Sequence, residues 1–375
     1  LIFLYNNSRV LFRKEAKHQV TELPAVTIII SAYNEASVIE QKIANTLSID
    51  YPADKLKVLI VADGSDDGTA AKVKQYPEIH LLYRPERHGK TAAINNAMKT
   101  VKTPIVVFTD ANTMLNPECI RKIVVHFDKK KTGAVAGEKK ILKSNSHSAV
   151  GEAEGIYWQY ESFMKQMDTE LYTVVGAAGE LFSIRTELYH EVDEKVILDD
   201  FVISMQICLQ GYKIEYEPDA FATESPSASL TDERKRKIRI SAGAYQSIGY
   251  LKGCLNVFKN PLLAFQFISR RLLRWTVCPL MLVTLFAGNV VLVFSGQETF
   301  YLPFFVAQIV FYVFAFAGWL FARLGKRAGL FTVPFYFVFM HYCLVKGFFK
   351  FLSGSQSVLW EKSQRETITK PANIS

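Results

Sequence analysis

The sequence predicts an α/β domain built on a mostly parallel sheet, followed by a membrane-embedded region. Three observations carry that prediction. Short unbroken apolar runs alternate with helical stretches between Val26 and about Ile141. Several of those runs stop on polar or acidic residues: Tyr33, Asn34 and Glu35 after the first, Asp63 after the second and Asp110 after the fourth. Beyond about Arg274 the chain, 49% hydrophobic and 13% aromatic as a whole, turns into three long uncharged stretches.

Residues 26–30 form a strand of the doubly buried type, because a continuous apolar run leaves no face for solvent. A helix follows over 35–47, a second strand over 57–61 and a second helix over 69–76. The third strand is 79–82. The helix over 91–100 sets Ala92, Ala93, Ile94 and Ala97 on its apolar side, and 105–108 is the fourth strand. Alternation of this kind gives a parallel sheet covered by helices on both faces. A second half, 133–226, holds a helix over 152–167, the small-residue loop Gly176-Ala177-Ala178-Gly179 and a strand over 181–184. It closes with a helix that opens on Asp199-Asp200 and ends near Gly211. An acid at a helix start commonly caps it, but capping accounts for one of two adjacent acids, not for both.

Residues 231–251 read as a basic amphipathic helix starting between Thr231 and Arg234, with Ile238, Ala242, Tyr245 and Ile248 at helical spacing. Such a helix lies at a membrane surface or packs on the α/β domain. The runs 276–297 and 299–322 carry no charge and reach the roughly 20 residues needed to cross a bilayer. Arg270, Arg271 and Arg274 precede them and Arg323, Lys326 and Arg327 follow, which predicts a hairpin with both ends cytoplasmic. The third run, 328–345, either spans by extending to Leu352 with snorkelling lysines or is re-entrant or interfacial. The expected organisation is then the end of an N-terminal membrane helix with a linker over 1–22, and the α/β domain over 23–230. Interfacial helices follow over 231–275, the transmembrane region over 276–352 and a tail over 353–375.

The net charge of +8 sits largely beside the apolar runs and lacks interleaved stacking aromatics, which argues for membrane anchoring and against nucleic acid as a partner. The five cysteines form neither a C-x-x-C pair nor a zinc-type spacing, so neither a disulfide framework nor a zinc site is expected.

Parallel sheets bind ligands at the carboxyl ends of their strands. Asp110 and Asn112 flank one small residue at such an end, an arrangement suited to Mg²⁺ or Mn²⁺ bridged by substrate phosphates. Asp63, at the neighbouring strand end, can accept hydrogen bonds from a base or ribose. Lys90 opens a helix, where a phosphate is favoured. An isolated D-x-N is usually a turn; the signal is the order in which the elements occur. Strand–Asp63-Gly64-Ser65 comes first, then Gly89-Lys90, then strand–Asp110-Ala111-Asn112, then Asp199-Asp200 before a helix.

That order, over about residues 24–246, resembles glycosyltransferase family 2, the inverting transferases with the nucleotide-diphospho-sugar (GT-A) fold. The resemblance rests also on Ile30-Ser31-Ala32-Tyr33-Asn34-Glu35, on Gly89-Lys90-Thr91-Ala92-Ala93-Ile94-Asn95 and on Gly176-Ala177-Ala178-Gly179. It implies that Tyr33, Glu35 and Asp63 hold the nucleoside of a UDP-sugar donor, that Lys90 lies at the diphosphate, and that Asp110 and Asn112 carry the metal. It further implies that Asp200 is the general base, that Asp199 replaces a neighbouring Glu, and that Gly176, Gly179 and Asp199 line the acceptor side. Inversion turns an α-linked donor into a β-linked product.

Membrane-bound polysaccharide synthases are similar to this chain in their overall layout, and carry a Q-x-x-R-W motif. Arg236-Lys237-Ile238-Arg239-Ile240 stands in its place, with Arg239 matching the Arg, Arg236 replacing the Gln and Ile240 the Trp. The resemblance places Arg236 and Arg239 with the donor. It implies a multi-pass protein of a bacterial cytoplasmic membrane with its catalytic domain in the cytosol, acting beside membrane lipids and an export or assembly subunit. The lost Trp leaves two acceptors open, a growing polysaccharide or a lipid receiving one sugar. The departures at Asn112 and Asp199 leave a third reading, an inactive transferase-like subunit, against which stand Asp63, Lys90, Asp110, Asp200 and Arg239. Trp360 to Arg365 is similar to a W-x(4)-R segment of such relatives.

Overall fold

The computed structural model describes residues 22–142, 149–357 and 359. The expected membrane helix over 1–22, Glu22 apart, and the Trp360 to Arg365 segment lie outside them. Strands β1 (Val26–Ala32), β2 (Leu56–Asp63), β3 (Ile79–Arg84) and β4 (Ile105–Asp110) run parallel, crossed over by α1 (Ile39–Leu47), α2 (Thr69–Val73) and α3 (Lys90–Met98). Alternate strand residues enter opposite cores. Ile29, Leu59, Val61 and Phe108 join one apolar cluster, and Ile28, Ile30, Ile60 and Val107 join the other. This double burial is why the runs lack polar alternation.

β1, β2 and β4 outlast their apolar runs, so Asp63 and Asp110 are the last residues of β2 and β4 rather than the first of a loop. In register, Ser31 stands beside Asp110 and Asp63 beside Arg84. The first helix begins at Ile39, not at residue 35. Asn34 has a left-handed backbone (φ 54°), and its side-chain amide exchanges hydrogen bonds with Asp66 at 2.8 and 3.0 Å. The Val38 amide donates to the Glu35 carbonyl at 2.9 Å, closing a turn ahead of the helix.

The second half adds β5 (Met114–Leu115), α4 (Cys119–Val124), β6 (Thr132–Ile141), α5 (Ala149–Leu171), β7 (Phe182–Arg185), α6 (Asp199–Leu209) and β8 (Lys213–Glu224). The eight-stranded sheet has the order β3-β2-β1-β4-β7-β6-β8-β5. β7 is antiparallel to both β4 and β6, and β5 is antiparallel to β8, so the sheet is mixed.

Helix α7 (Leu230–Tyr250) starts at an N-cap formed by Ser229, whose hydroxyl accepts from the Asp232 amide at 3.1 Å, slightly before the expected start. Its Glu233, Lys237, Ala242 and Ala244 are buried. After α8 (Pro261–Phe267) come α9 (Leu273–Leu292), α10 (Glu298–Arg323) and α11 (Thr332–Leu352). Among the described residues, three helical segments are long and apolar enough to cross a membrane: Pro261–Ser295, Thr299–Arg323 and Gly329–Leu352. Only 6% and 11% of the first two apolar windows are buried in the protein, against 33% of the third. Its helix, α11, runs along α7. The Tyr336 hydroxyl donates to Glu233 Oε1 at 2.9 Å, Phe348 and Phe351 pack on Tyr245, and a Cβ on Gly347 would lie 2.4 Å from Ser241 Cβ.

Candidate active site

The carboxyl edge of the sheet opens into a cleft of about 2020 Å³. Tyr33, Glu35, Asp63, Lys90, Asp110, Asn112, Gly176, Gly179, Asp199, Asp200, Arg236 and Arg239 all line it.

At one end, Asp63 accepts from the backbone amides of His88 (3.0 Å) and Gly89 (2.6 Å). These bonds pin the loop that opens α3, where Gly89 adopts φ 101°. The Arg87 guanidinium lies 3.5 Å from the centre of the Tyr33 ring. That pairing was not foreseen from the sequence, although Arg87 stands three residues before Lys90. The backbone amide of Glu35 donates to Thr69 Oγ1 at 2.9 Å.

In the middle, Lys90 Nζ donates to Asp110 Oδ1 at 2.7 Å and stands 3.7 Å from Asp199 Oδ2. Gly179 marks where the groups meet. A Cβ on it would lie 3.0 Å from Lys90 Nζ, 3.2 Å from Asp200 Oδ2 and 3.6 Å from Asp110 Oδ2. One cation and two carboxylates thus converge on a single point left open by the absence of a side chain. Burial would lower the pKa of Lys90, but Asp110, then Asp199 and Asp200, raise it on balance, so the ammonium stays charged. Burial, and then the neighbouring Asp199, push the Asp200 carboxyl up to about 7 against the pull of Lys90.

Neither acid acts as a side-chain cap on α6. Leu198 holds the N-cap position, and Asp200 Oδ1 accepts from the next amide, Phe201 N, at 2.8 Å. Asp199 Oδ2 is buried without a hydrogen bond among the described residues. Burial lowers the pKa of Arg239, and Asp199 and Asp200 oppose that shift, so this arginine stands in the field of both acids. Arg236 also lines the cleft, but its guanidinium is committed to Glu154 at 2.6 Å and Glu233 at 2.9 Å.

Two residues that the sequence did not single out brace this centre. Lys42 is fully buried and donates to Thr109 Oγ1 (3.0 Å) and the Thr113 carbonyl (2.7 Å), clamping both sides of the Asp110-Ala111-Asn112 turn. Burial drops its pKa to about 7 despite Asp110. Lys139 on β6 is ion-paired to both Glu180 and Glu224, and Glu224 Oε1 accepts from the Asn112 amide at 3.0 Å. The apolar pattern of β6 is interrupted at Lys139 and Lys140, which hides the strand in the sequence.

The oxygens of Asp110 and Asn112 can supply part of a divalent cation's ligand shell. Asp110 keeps Oδ2 turned to the convergence point, with Oδ1 on Lys90. The Asn112 amide nitrogen is used by Glu224, which leaves its carbonyl oxygen as the acceptor. No cluster of three His, Cys, Asp or Glu side chains able to hold an ion exists among the described residues. Hard cations take six or more oxygens. The residues therefore fit a cation whose remaining ligands come from elsewhere, such as phosphate oxygens.

A mixed sheet with an acid-rich cleft at its carboxyl edge defines a GT-A-type domain, and the comparisons agree. Residues 27–193 match the family model for glycosyl transferase family 2. The chain is 27% identical over 246 residues to the poly-β-1,6-N-acetyl-D-glucosamine synthase of Staphylococcus aureus (strain COL), covering 64% of this chain and 59% of that one. It is 24% identical over 247 residues to the Staphylococcus epidermidis synthase of the same name, covering 64% and 58%. The aligned part is thus under two thirds of the length of these relatives. A mannosyltransferase from Pyrobaculum calidifontis, solved in complex with GDP-Man and Mn²⁺, superposes with a TM-score of 0.70 at 23% identity, covering 94% of both chains. That likeness is one of fold. Residues 27–193 thus form a domain matching glycosyl transferase family 2 within a GT-A-like fold, and among the described residues three helices long and apolar enough to cross a membrane follow it.

Proposed function

We propose that this protein is a membrane-anchored inverting glycosyltransferase that moves a sugar from a UDP-sugar to a growing polysaccharide, forming a β-linkage. The observation that carries the reading is the convergence of Lys90, Asp110 and Asp200 around Gly179. The polysaccharide acceptor is supported by the synthases among its relatives.

In this mechanism Tyr33, Glu35 and Asp63 hold the nucleoside, and Asp63 also fixes the loop that delivers Lys90. Asp200 is the general base. It takes the proton from the acceptor hydroxyl as that oxygen bonds the anomeric carbon and the bond to the donor phosphate breaks on the opposite side. A base with a pKa near 7 keeps enough carboxylate at neutral pH while remaining a useful proton acceptor, worth about 10² to 10⁴-fold in rate. Asp199 raises that pKa and Lys90 restrains it. Lys90 stands where the departing diphosphate gathers charge, and Arg239 adds positive field beside the two acids. Asp110 and Asn112 would hold Mg²⁺ or Mn²⁺, which supplies charge neutralisation at the leaving diphosphate.

We place α9 and α10 across a bacterial cytoplasmic membrane as a hairpin, with the catalytic domain in the cytosol. Helix α11 then lies against α7 rather than crossing. Its contacts with Glu233, Ser241 and Tyr245 would otherwise draw a charged helix into hydrocarbon, at a cost of about 2.5–3.5 kcal/mol per charge. Residues 353–357 accordingly stay on the catalytic side, where Ser355, Gln356 and Ser357 line the cleft.

A second reading, one sugar passed to a lipid acceptor, draws on Trp275, Met340 and Leu344, apolar residues of α9 and α11 that also line the cleft. Transfer from radiolabelled UDP-sugars in reconstituted membranes, with products sized on a gel, tests both. A ladder of long polymer supports the first and removes the second. Absence of any donor-dependent product across the donor panel would refute both.

A further inference from the structure

Asn112 is neutral at a place where a carboxylate would hold a hard cation more strongly, and the end of β8 explains it. β8 pairs with β6 on one side and β5 on the other, setting Glu224 beside Ile141 and Thr223 beside Met114. Thr223 Oγ1 also donates to the Met114 carbonyl at 3.2 Å. Met114 follows Asn112 by two residues, so this register fixes Glu224, the last residue of β8, against the Asp110-Ala111-Asn112 turn. Glu224 is only 3% exposed, and its Oε1 accepts from the Asn112 amide nitrogen at 3.0 Å. Its other oxygen is ion-paired with Lys139, which also holds Glu180 beside Gly179. Burial opposes a charge on Lys139, but Glu180 and Glu224 raise its pKa on balance, so the ammonium is kept.

A carboxylate can only accept, so the end of the Asn112 amide that meets Glu224 is its NH₂. The carbonyl end is thereby turned away from Glu224. Asn112 is part-exposed and lines the cleft, so this carbonyl oxygen is what it offers to a ligand there. An amide free to turn over would present its NH₂ as readily, and an N–H repels a cation. An acid at position 112 would set two carboxylates about 3 Å apart, and like charges that close repel.

We propose that Glu224 is a positioning residue for Asn112: it fixes the amide with its carbonyl oxygen toward the cation site, and its charge is what requires a neutral side chain at position 112. This rests on the metal assignment within the transferase reading above. The same contact can be made with the two groups exchanged. In Asn112→Asp combined with Glu224→Gln, the amide stands on β8 and the carboxylate on the turn.

The test is a double-variant cycle on the full chain in nanodiscs. Mn²⁺ affinity is read by calorimetry with UDP present, and UDP affinity without metal and melting temperature are read beside it. In Glu224→Gln the single amide oxygen goes to Lys139, so the new NH₂ faces Asn112 and turns its amide over. Mn²⁺ binding should weaken about 10- to 100-fold, with UDP affinity in the absence of metal unchanged. Adding Asn112→Asp to Glu224→Gln should recover that affinity, because the carboxylate accepts from the NH₂ with one oxygen and offers the other to the cation. In the protein that keeps Glu224, Asn112→Asp should gain far less, so the two substitutions couple rather than add. Glu224→Asp keeps the charge beside Lys139 but draws the oxygen back by one methylene. It should show a smaller loss of Mn²⁺ affinity, and it carries the test if Glu224→Gln does not fold. Unchanged Mn²⁺ affinity in Glu224→Gln, or in Glu224→Asp where only that variant folds, overturns the proposal. So do two substitutions whose effects simply add, and an unaltered protein that binds no Mn²⁺ with UDP present. If the cycle couples as described while no UDP-sugar is turned over, the positioning role stands and the transferase reading falls.

Discussion

Two glycines of one short loop should fail in opposite ways when given a methyl group. Gly176 has φ +88°, and a Cβ there would lie 2.1 and 2.3 Å from two Phe201 ring atoms. Alanine in the left-handed region costs about 1–2 kcal/mol and overpacking a core about 1–3 kcal/mol more. Gly176→Ala should therefore destabilise the domain by roughly 2–5 kcal/mol. Gly179 lies outside the left-handed region, and its added methyl would meet only the ends of flexible side chains, Lys90 Nζ at 3.0 Å and Asp200 Oδ2 at 3.2 Å. Those groups can retreat by a few tenths of an ångström, so Gly179→Ala should leave stability within about 1 kcal/mol, helped by the smaller entropy of the unfolded chain. The same retreat spreads the groups proposed to carry the reaction, while the methyl fills the point where they meet. A misplacement of about 1 Å can cost about 10²-fold in rate, so this smaller shift, together with the filled opening, should cost about tenfold or more. Thermal unfolding of both variants in detergent, followed by transfer from radiolabelled donor, separates the two effects. A Gly179→Ala protein with near-normal transfer, or one as unstable as Gly176→Ala, would refute the claim that this opening is the reaction centre.

With Asp200 as the proposed base, kcat/KM for transfer should rise with pH and level off above about 7. Asp199→Asn removes the like charge that holds the pKa up, so the rising limb should move to lower pH; an unmoved limb contradicts the assignment. Lys90→Met removes the group that restrains that pKa, so the limb should move upward while transfer falls about 10² to 10³-fold through lost charge stabilisation, both read from one pH–rate series. With two protein oxygens on offer from Asp110 and Asn112, titration calorimetry should detect Mn²⁺ binding with UDP present and only weak binding without it; tight binding of the metal alone is the contrary result. Replacing Gly347 by Leu should pry α11 from α7, since even a Cβ there would lie 2.4 Å from Ser241 Cβ, and a lower melting temperature of the purified protein is the expected reading.

The parts of the fold written in local pattern were legible in the sequence. Strands β1, β2 and β4 are buried on both faces, so their apolar runs are unbroken, and the terminal acids of β2 and β4 mark the ligand edge. Strands β6 and β8 were hidden, because Lys139, Lys140, Glu215 and Glu217 interrupt the apolar pattern that would mark a strand. Lys139 is tolerated inside only because Glu180 and Glu224, 41 and 85 residues later in the chain, meet it there. Lys42 was invisible for the same reason, its partners Thr109 and Thr113 being separated from it by 67 and 71 residues. The D-x-N and D-D elements are short enough to be read directly, and the structure brings both to Gly179. The R-x-x-R spacing was less informative: three residues apart on α7, Arg239 reaches the field of the two acids while Arg236 is claimed by Glu154 and Glu233. Helical spacing puts side chains on one face, but only distant partners decide which of them faces the cleft.

The central claim is that Asp200 removes the acceptor proton, and single-turnover transfer by Asp200→Asn tests it most directly. The variant keeps the shape of the side chain and its place at the start of α6 but has no basic oxygen to take a proton. The account predicts donor still bound, by nucleotide titration, with transfer slowed by about 10² to 10⁴-fold at every pH. Transfer near the unaltered rate, with the same rise towards pH 7, would contradict it.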